Sequence, residues 1–370
     1  MKTKNRVYIT STSSVTCAGE NNQILFQNIL TGTTGIKEDK EYFFNASPAI
    51  GKLDTKDTFF EALVLECEKV LEHSQLDNYK ETLLIIGSSV GGMKTTEDIY
   101  IDTKDYANIN PDKHHIHVIA NCLNESFDFY DDVSFSTACT SSANAIGYAY
   151  EVLSKGLYKN VLVVGADSLS QTTVGGFLSL GVLSSNPCRP FDENRDGMNV
   201  SEAIACLLIE TEPTKESVEV CGVGYSSDAY HMTHPKPKGE GAYKAMKKAL
   251  NEANLTVDNI DYINAHGTGT EANDSAEAEA IVSLFPHKPF VSSTKSITGH
   301  TLGAAGALEA IISFMVLKKQ IIPPNHFLQC QTNKTINLTD EPRDKLIQYV
   351  MSNSFAFGGN NCSIIFGNIK

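Results

Sequence analysis

Short apolar runs alternate with helical patterns along this chain of 370 residues. The runs are rich in valine, isoleucine and leucine, and they predict buried strands at 6–10, 83–86, 161–164, 204–209, 262–265 and 363–366. Between them, Phe59, Leu63 and Cys67 recur at four-residue steps, which is the spacing of one helix face, and 243–253 has the same character. Strands that alternate with helices predict an α/β fold built in layers.

One stretch of this pattern occurs twice. In 133–160 and again in 290–320, a strand is followed by a turn of small residues and then by a helix rich in alanine and glycine. Small residues let a helix approach its neighbours closely on all sides. We therefore expect the two helices, 141–155 and 303–319, to be buried between layers.

The repeat predicts two similar halves with a boundary near residue 225. The first half, 1–225, carries the first copy, and the second half, 226–370, carries the second copy. No linker rich in glycine, serine or proline separates them. We therefore expect the two halves to form one rigid body.

Composition narrows the classes of function. Hydrophobic residues make up 41% of the chain and charged residues 20%, as in a globular protein with a large core. Acidic residues outnumber basic ones by 44 to 30, and the net charge of −14 argues against a general binder of nucleic acid or of anionic membranes. No apolar run is long enough to span a membrane. Nine cysteines without CxxC spacing indicate neither a disulfide framework nor a zinc site, which favours the reducing cytoplasm.

The first candidate for chemistry is Cys139, which follows a predicted strand and precedes the predicted helix 141–155. Backbone N–H groups at a helix start carry about half a positive charge, which stabilises a thiolate, so we expect a lowered thiol pKa. The same N–H groups can bind the oxyanion that forms when sulfur attacks a carbonyl. In contrast, four cysteines lie inside apolar runs and are interpreted as small buried hydrophobic residues: Cys67, Cys206, Cys221 and Cys362.

Two histidines in glycine-containing turns are the next candidates. His266 follows the strand predicted at 262–265. His300 precedes the small-residue helix of the second half, as Cys139 does in the first half. A single histidine at a strand end is more often structural than catalytic. If the halves pack about a pseudo-twofold axis, however, Cys139 and His300 face the centre and His266 can join them.

Three further features would support such a site. Lys295 lies near the end of a strand that should be buried, so its charge needs a counter-ion, and Glu309 in the following helix is the candidate for a positional pair. Asn273 or Asp274 is expected to cap the helix after the His266 turn. The glycine-rich segment 352–361 lies between two apolar strands, and it is either a plain hairpin turn or a loop that brings backbone N–H groups to the site.

Five segments that include these residues occur in one specific order, and in this the chain resembles the β-ketoacyl-acyl carrier protein synthases of the elongating, thiolase-fold type. The segments are TACTSS (137–142), PCRPFD (187–192) with RDG (195–197), HGTGT (266–270) with ND (273–274), Lys295 with GH (299–300), and NSFAFGG (353–359). The resemblance extends over nearly the whole chain. Two histidines distinguish this type from chain-initiating synthases, which pair one histidine with asparagine.

The resemblance implies a thiolase-like α/β fold with five αβαβα layers built from two similar halves. It also implies a dimer, either a homodimer or a heterodimer with a related synthase-like subunit. No metal and no bound cofactor are implied, because the substrates are carried on the phosphopantetheine of an acyl carrier protein. The implied reaction is a decarboxylative condensation of an acyl chain with malonyl-carrier protein, in fatty-acid synthesis or in a specialised pathway to polyenes, polyketides or pigments.

The resemblance gives each catalytic candidate a role. Cys139 would accept the acyl chain, while the amides of Cys139 and Phe357 hold the oxyanion. His266 and His300 would act as neutral N–H donors that stabilise the malonyl thioester as carbon dioxide leaves. Burial and the charge of Lys295 would keep both imidazoles neutral near pH 7.

The resemblance also implies a set of substrate-binding residues. Thr268 and Thr270 would hydrogen-bond the pantetheine arm, Phe357 would be a gate between the two half-reactions, and Gly358 would lie beside the bound substrate. In this chain Ala356 replaces the glycine that usually precedes the gating phenylalanine. Its Cβ restricts φ, so we expect the loop to swing less.

Other departures from the family leave the substrate range open. Ser-Glu-Ala stands at 201–203 in place of the usual Gly-Glu-Gly, and the stretch 93–132 is shorter than in fatty-acid elongation enzymes, where it contributes to the dimer contact and the acyl pocket. The small size favours a specialised pathway. One alternative is a non-catalytic chain-length subunit, against which the presence of Cys139, His266 and His300 argues. The other is a thioester hydrolase that releases free acid.

Three clusters of charged or titratable residues complete the picture. They are Arg189, Asp192, Arg195 and Asp196; His114, His115 and His117; and Lys236, Lys238, Lys244, Lys247 and Lys248. We expect the first to be a structural ion-pair network that braces its loop rather than an acid/base cluster. The three histidines lack a metal-ligating partner placed by sequence and are expected in a solvated loop. The lysines either meet an acidic carrier protein or form a solvated helix face.

Overall fold

The computed structural model describes residues 4–39, 47–72, 74, 76, 79–332 and 335–369. The strands in this part of the chain are β1 (Tyr8–Thr16), β2 (Lys37–Glu38), β3 (Ala49–Ile50), β4 (Thr82–Gly87), β5 (Asp131–Phe135), β6 (Asn160–Asp167), β7 (Ala203–Glu210), β8 (Val218–Ser227), β9 (Tyr262–Asn264), β10 (Phe290–Ser292), β11 (Ile321–Ile322), β12 (Asn337–Leu338), β13 (Arg343–Asp344), β14 (Tyr349–Phe355) and β15 (Asn360–Asn368). All six strands predicted from the apolar runs are present.

The α-helices of the described residues are α1 (Asn22–Thr31), α2 (Phe59–Glu72), α3 (Met93–Thr103), α4 (His117–Phe127), α5 (Ser141–Ser154), α6 (Gln171–Ser179), α7 (Glu240–Glu252), α8 (Glu271–Leu284), α9 (Lys295–Thr298) and α10 (Ala305–Lys319). The predicted helices 141–155, 243–253 and 303–319 correspond to α5, α7 and α10. None of these helices is long and apolar enough to cross a membrane.

The first strand is longer than its apolar run indicates. The sequence predicts 6–10, whereas β1 continues through a series of serine and threonine residues to Thr16. The buried hydroxyls there are satisfied, since Ser13 Oγ donates to Glu66 and Ser14 Oγ donates to Asn22. Backbone pairing of β1 with β7 along its length therefore outweighs the loss of apolar side chains.

The strand order shows that the two halves have one topology. Eleven strands form a continuous sheet in the order β12-β10-β9-β14-β15-β8-β1-β7-β6-β4-β5. In the first half, β4 is parallel to β5 and β6, and β6-β7-β1 continue antiparallel. In the second half, β9 is parallel to β10 and β14, and β14-β15-β8 continue antiparallel. The prediction of two similar halves is confirmed, and the first strands of the halves, β1 and β8, pair at the centre.

The division of the chain at 225/226 stays a prediction. Tyr225 lies inside β8, which is the first strand of the second half. On this topology we propose that the change of half falls in the connection 211–217, between β7 and β8. The direct pairing of β1 with β8 explains why the sequence has no flexible linker there.

Alternate residues along each strand pack in different layers, because successive side chains point to opposite faces of a sheet. Leu83 of β4 faces a central core with α5 and α10, whereas Leu84 faces an outer core with α2 and α4. In the second half, Ile364 of β15 faces the same central core, and Ile365 faces an outer core with α7 and α8. The result is the predicted five-layered αβαβα arrangement with α5 and α10 in the middle.

Close contact between the two central helices depends on their small residues. A Cβ at Gly306 of α10 would lie 2.4 Å from the backbone nitrogen of Ala143 in α5, so only glycine fits there. The Ala307 N–H donates to Ser142 Oγ across the same contact. The two helix starts, which carry the candidate cysteine and histidine, are thereby brought side by side.

Candidate active site

Cys139 lies in a tight turn between β5 and α5. Ala138 before it has φ 54°, a left-handed conformation that costs a non-glycine residue energy. The turn is held by hydrogen bonds, because the Ala138 carbonyl accepts from both Ser141 Oγ and Ser89 Oγ. The thiol is therefore fixed at the start of the helix, and only 8% of Cys139 is exposed.

The electrostatics of Cys139 correct one expectation. The backbone N–H groups of Cys139 and Phe357 point to the sulfur, and together with the charge of Lys295 they favour the thiolate. Burial has the opposite and larger effect, and it raises the pKa of the Cys139 thiol to about 11. The expected lowering is therefore wrong for the resting protein, in which the thiol is protonated near pH 7.

His300 occupies the matching turn before the central helix of the second half. Gly299 before it has φ 68° and ψ 179°, and the His300 N–H donates to the Asn199 carbonyl at 2.6 Å. Nδ1 of His300 accepts from the Leu302 N–H at 3.2 Å. Because that hydrogen bond requires an unprotonated Nδ1, the neutral ring carries its proton on Nε2 and is an N–H donor.

His266 lies two residues beyond β9, and its backbone is fixed by a carboxylate. The N–H groups of His266 and Gly267 donate to the two oxygens of Glu277 at 2.9 and 2.8 Å. Asn353 Nδ2 donates to the same carboxylate at 3.1 Å. Nδ1 of the His266 ring is buried, and no residue in the described part of the chain hydrogen-bonds to it or fixes the ring's tautomer through it.

The structure brings the three candidate side chains together. Cys139 Sγ and one ring nitrogen of each histidine lie within 4.8 Å of one another, and the two rings meet edge to face with centroids 5.2 Å apart. Burial and the nearby Lys295 charge hold the pKa of both imidazoles well below the usual value. Both histidines are therefore neutral near pH 7. Cysteine and histidine also bind zinc, so the expectation of no metal stays a prediction.

Lys295 supports the histidines from the first position of α9, three residues after β10. Its Nζ donates to the His266 carbonyl at 2.6 Å and forms an ion pair with Glu309 of α10. Both side chains are buried, and the second carboxylate oxygen of Glu309 has no hydrogen-bond partner among the described residues. The pair links the His266 turn to the central helix and places a positive charge beside both rings.

The loop after His266 is organised by Asp274, which does not cap the helix as expected. The helix α8 begins at Glu271, so Asp274 lies inside its first turn. Its carboxylate accepts from the N–H groups of Thr268 and Gly269 at 3.0 and 3.3 Å. The hydroxyls of Thr268 and Thr270 lie 2.9 Å apart, and both residues line the cavity that leads to Cys139.

The glycine-rich segment is a hairpin turn between β14 and β15. Phe357 is half-buried in the cavity wall beside Phe177, with ring centroids 6.1 Å apart. Gly358 is exposed and outside that wall, and its N–H donates to the Met232 carbonyl at 2.7 Å. This N–H is occupied, so the structure does not bring Gly358 to the other substrate-binding candidates. Ala356 has no positive φ, so the alanine fits without strain.

The three residues line a cavity that adjoins an open groove, and we call the cavity and the groove together the channel. Cys139, His266 and His300 line a narrow cavity of about 50 Å³. A wider groove of about 700 Å³ shares Thr270 and Phe357 with it and reaches the surface. The sequence analysis missed several wall residues: Phe177, Met198, Asp228, Thr233, Pro235 and Asn361. The segment from Asp228 to Pro235, polar and directly after a buried strand, was the signal for a loop at the site.

The arginine and aspartate cluster braces its loop, but mostly without ion pairs. Arg195 donates to the carbonyls of Thr270 and Glu271 and to the Ser275 hydroxyl. The Asp192 carboxylate accepts three backbone N–H groups, from Asn194, Gln329 and Cys330. Arg195 also forms an ion pair with the buried Asp274, with Nε and Oδ2 3.7 Å apart. The cluster therefore has the expected structural role, held by backbone hydrogen bonds as well as by this ion pair.

The histidines at 114, 115 and 117 form no metal-binding cluster. Among the described residues, the group of three that could hold a metal is the Cys139 group alone. His114 is instead held by Thr96, whose Oγ1 lies 2.8 Å from Nδ1. All three are exposed, as the sequence predicts, but only His114 and His115 lie in a loop, because His117 begins α4.

Two models of one family match most of the chain. The N-terminal domain of β-ketoacyl synthases matches residues 40–215, and the C-terminal domain of β-ketoacyl synthases matches residues 217–329. The 3-oxoacyl-acyl-carrier-protein synthase 2 of Coxiella burnetii (strain RSA 493 / Nine Mile phase I) is 32% identical and covers 99% of this chain and 99% of its own length. The protein of the same name from Staphylococcus aureus (strain COL) is 30% identical with the same coverage.

Solved structures share the fold over the whole chain. The ketosynthase (ApeO) in complex with its chain length factor (ApeC) from Xenorhabdus doucetiae superimposes with a TM-score of 0.90 at 30% identity, over 99% of this chain and 98% of that chain. A β-ketoacyl synthase from Burkholderia phymatum STM815 gives a TM-score of 0.90 at 28% identity, over 99% of this chain and 100% of that one.

Proposed function

The chain belongs to the β-ketoacyl synthase family, whose reaction condenses an acyl chain with malonyl-carrier protein, and we propose that Cys139, His266 and His300 perform that reaction here. The observation that carries the proposal is the convergence of one thiol and two neutral imidazoles within 4.8 Å at the inner end of a channel. The thiol comes from the first half and both rings from the second half, so the folded sheet is needed to assemble the site.

In the first half-reaction, Cys139 takes the acyl chain from the phosphopantetheine thioester of an acyl carrier protein. A bond forms between Cys139 Sγ and the acyl carbon, the bond to the pantetheine sulfur breaks, and the thiol proton goes to that leaving sulfur. Because the resting thiol is protonated, the proton must leave as attack begins. We assign this first transfer to His266, whose tautomer is not fixed by a contact on Nδ1.

The oxyanion formed by this attack needs donors that are already in place. The N–H groups of Cys139 and Phe357 both point to the sulfur and are suited to a carbonyl oxygen bonded to the attacked carbon. The first is fixed by the strained turn at Ala138, and the second by the hairpin of β14 and β15. Donors held by the backbone in this way need no rearrangement as charge develops.

In the second half-reaction, malonyl-carrier protein enters by the same channel. The bond between its carboxylate and methylene carbons breaks, carbon dioxide leaves, and the electron pair passes to the thioester as an enolate. His300, with its proton on Nε2, donates to the enolate oxygen, and His266 is the second donor. The methylene carbon then attacks the acyl carbonyl, and Cys139 leaves as a thiolate and takes up a proton. The product is a 3-oxoacyl chain on the carrier protein, longer by two carbons.

The channel walls suit a pantetheine arm. Thr268 and Thr270 offer hydroxyls to its amides, and Phe357, half-buried between the inner cavity and the outer groove, is suited to act as a gate. The inner cavity of about 50 Å³ is too small for an acyl chain, so Phe357 or a neighbour must move when Cys139 is acylated. We do not include Gly358 among the binding residues, because its N–H is bonded to Met232.

We also propose that this chain is the catalytic subunit of a dimer. Its relative ApeO is described as a ketosynthase in complex with a chain length factor, and a chain-length subunit without the nucleophile is the alternative reading for this chain. The presence of Cys139 beside two histidines favours the catalytic role. A homodimer and a heterodimer are separated by native mass spectrometry, in which a homodimer has twice the 40.3 kDa mass of one chain.

The test of the proposed function is an acylation followed by a condensation. Intact-mass analysis after incubation with acyl-carrier protein is expected to show one acyl adduct, which disappears in the Cys139→Ala variant. Adding malonyl-carrier protein is expected to release carbon dioxide and yield the 3-oxoacyl product. An equal mass gain in both proteins would remove Cys139 from its role.

A further inference from the structure

Asp167 is a buried carboxylate at the meeting point of three segments of the chain. It is the last residue of β6, and its side chain is fully buried. Its oxygens accept from the N–H groups of Ser89 and Val90, which follow β4, and from the Gly303 N–H just before α10. Ser88 Oγ also donates to it at 2.5 Å. One side chain thereby links the end of β6, the loop after β4 and the start of the central helix of the second half.

The Asp167 carboxylate is charged at neutral pH. Burial raises the pKa of this carboxyl to about 6, and the hydrogen bonds that it accepts, first among them that from Ser88, oppose the rise. The group is therefore mostly ionised at pH 7. Its partners in the described part of the chain are N–H and O–H donors. Because hydrogen bonds to an ionised group are stronger than those between neutral groups, the three segments are held firmly.

The loop after β4 connects this carboxylate to the turn 137–141, which we call the Cys139 turn. The Ser89 N–H donates to both oxygens of Asp167 at 3.0 Å, and the Ser89 hydroxyl donates to the Ala138 carbonyl at 3.1 Å. Ala138 is the left-handed residue that directly precedes Cys139. A single residue, Ser89, therefore joins Asp167 to the turn that presents the thiol.

The Gly303 contact connects the same carboxylate to the turn 299–302, which we call the His300 turn. The Gly303 N–H donates to Asp167 Oδ2 at 2.6 Å, and the N–H of the preceding residue, Leu302, donates to His300 Nδ1 at 3.2 Å. A Cβ at Gly303 would lie 2.6 Å from the Ser89 nitrogen and 2.8 Å from Asp167 Oδ2, so this approach requires glycine. Because Leu302 has φ 53°, an unfavourable conformation, the turn depends on contacts such as this one to direct the Leu302 N–H.

We propose that Asp167 is a positioning residue, which holds the Cys139 turn and the His300 turn at a fixed separation and keeps His300 as an Nε2–H donor. This inference rests on the proposed function, in which the release of carbon dioxide uses that donor. Asp167 does not line the cavity at Cys139, so it acts through Ser89 and Gly303. If the start of α10 moves, the Leu302 N–H leaves Nδ1, and the His300 proton is free to occupy Nδ1 instead of facing the enolate.

The Asp167→Asn variant tests the proposal by two measurements. An amide has one acceptor oxygen, and its NH2 group cannot accept from a backbone N–H. The ratio of carbon dioxide release from malonyl-carrier protein to acylation of Cys139 is expected to fall about 10- to 100-fold, the effect of a displacement of about 1 Å. Nitrogen NMR of protein labelled at the histidine rings is expected to show one His300 tautomer in the wild type and a mixture of both in the variant. The His300→Ala spectrum identifies the resonances.

The matched control makes the same chemical change at Asp261. This residue lies directly before β9, at the end of the strand opposite His266, and its carboxylate accepts from the N–H groups of Gln348 and Tyr349. Asp261→Asn therefore disturbs a carboxylate that holds backbone N–H groups away from both turns. Its ratio of the two half-reactions and its His300 spectrum are expected to match those of the wild type, even if its stability falls.

An unchanged ratio or a single His300 tautomer in Asp167→Asn overturns the positioning role, as does an equal change in Asp261→Asn. If Asp167→Asn does not fold, Ser88→Ala takes its place, because it removes one donor to the carboxylate. A smaller change in the same direction is then expected in both measurements, and unchanged values overturn the proposal. If the wild type neither acylates Cys139 nor releases carbon dioxide, the proposed function fails, and the His300 tautomer alone tests the role of Asp167.

Discussion

Two turns hold the same place in the two halves of this molecule and carry different chemistry. Cys139 precedes α5 in the first half, and His300 precedes α10 in the second. In each turn the residue before the reactive one has a positive φ, 54° at Ala138 and 68° at Gly299. The first turn presents a thiol and a backbone donor, whereas the second presents a single ring N–H. One backbone conformation, used twice, therefore positions both of the side chains to which we assign the reaction.

The halves differ in what surrounds these turns. The second half adds a buried lysine, Lys295, with its counter-ion Glu309, and a second histidine held by Glu277. The first half supplies Asp167, whose carboxylate accepts from the Gly303 N–H at 2.6 Å and so ties β6 to the start of α10. The topology is symmetric, but the charge is concentrated on the histidine side.

The largest expected effect comes from removing the buried cation of the second half. Lys295→Met leaves the Glu309 carboxylate buried without its partner, and breaking such a pair costs about 3–5 kcal/mol of folding free energy. Urea unfolding measures the loss. The double variant Lys295→Met with Glu309→Gln is expected to recover part of the stability, because no unpaired charge remains. A loss below about 1 kcal/mol in the single variant would show that the pair is not structural.

The next largest effect distinguishes the step that needs His300 from the step that needs Cys139. His300→Ala removes one fixed donor, so release of carbon dioxide from malonyl-carrier protein is expected to fall about 10²–10³-fold, the usual effect of losing one such donor. Acylation of Cys139 is expected to change much less, because the donors for that step are backbone N–H groups. Rapid-quench assays of the two half-reactions measure both. Normal carbon dioxide release would remove His300 from this role.

The pH dependence of thiol reactivity tests the electrostatics of the first turn. The pKa of Cys139 is raised to about 11, so the reactive thiolate fraction grows tenfold with each pH unit. Alkylation of Cys139 by iodoacetamide is expected to rise about 100-fold between pH 7 and pH 9 without levelling off. Mass analysis of the Cys139 peptide follows the reaction, with Cys139→Ala as the control. A plateau of the alkylation rate below pH 9 would show that the turn lowers the pKa of the resting Cys139 thiol.

The smallest effect is expected at one of the two residues that precede the reactive side chains. Gly299 has φ 68° and ψ 179°, a conformation used almost only by glycine, and a Cβ there would lie 2.6 Å from the Ser201 Cβ. Gly299→Ala is expected to cost about 2–4 kcal/mol through strain and the clash. Ala138→Gly relieves strain but adds chain entropy, so it is expected to change stability by less than about 1 kcal/mol. An equal loss of unfolding free energy in the two variants, measured by thermal or urea unfolding, would contradict this difference between the turns.

Much of the fold was predictable because its sheet is buried on both faces. Strands such as β4 and β6 are then continuous apolar runs, and the central helices are rich in alanine and glycine because they pack against neighbours on all sides. Both signals are local in sequence. The same holds for Cys139, His266 and His300, which stand next to glycine or small residues in turns between such elements.

The features that were not predictable depend on contacts between distant segments. Burial of Cys139 comes from the hairpin at Phe357 as well as from its own turn, so sequence position alone indicated the wrong direction for its pKa. Asp274 satisfies the amides of Thr268 and Gly269 rather than those of its own helix. Gly358 is in the right loop but is bonded to Met232, more than a hundred residues away.

The proposed reaction requires that a thiol from one half and two imidazoles from the other act on a single acyl group. A single turnover of Cys139 loaded with radiolabelled octanoyl and mixed with malonyl-carrier protein measures this directly. We expect one carbon dioxide to be released for each octanoyl group consumed, with all label recovered as the 3-oxo product on the carrier protein. Label recovered as free octanoic acid without carbon dioxide would contradict it and identify a thioester hydrolase.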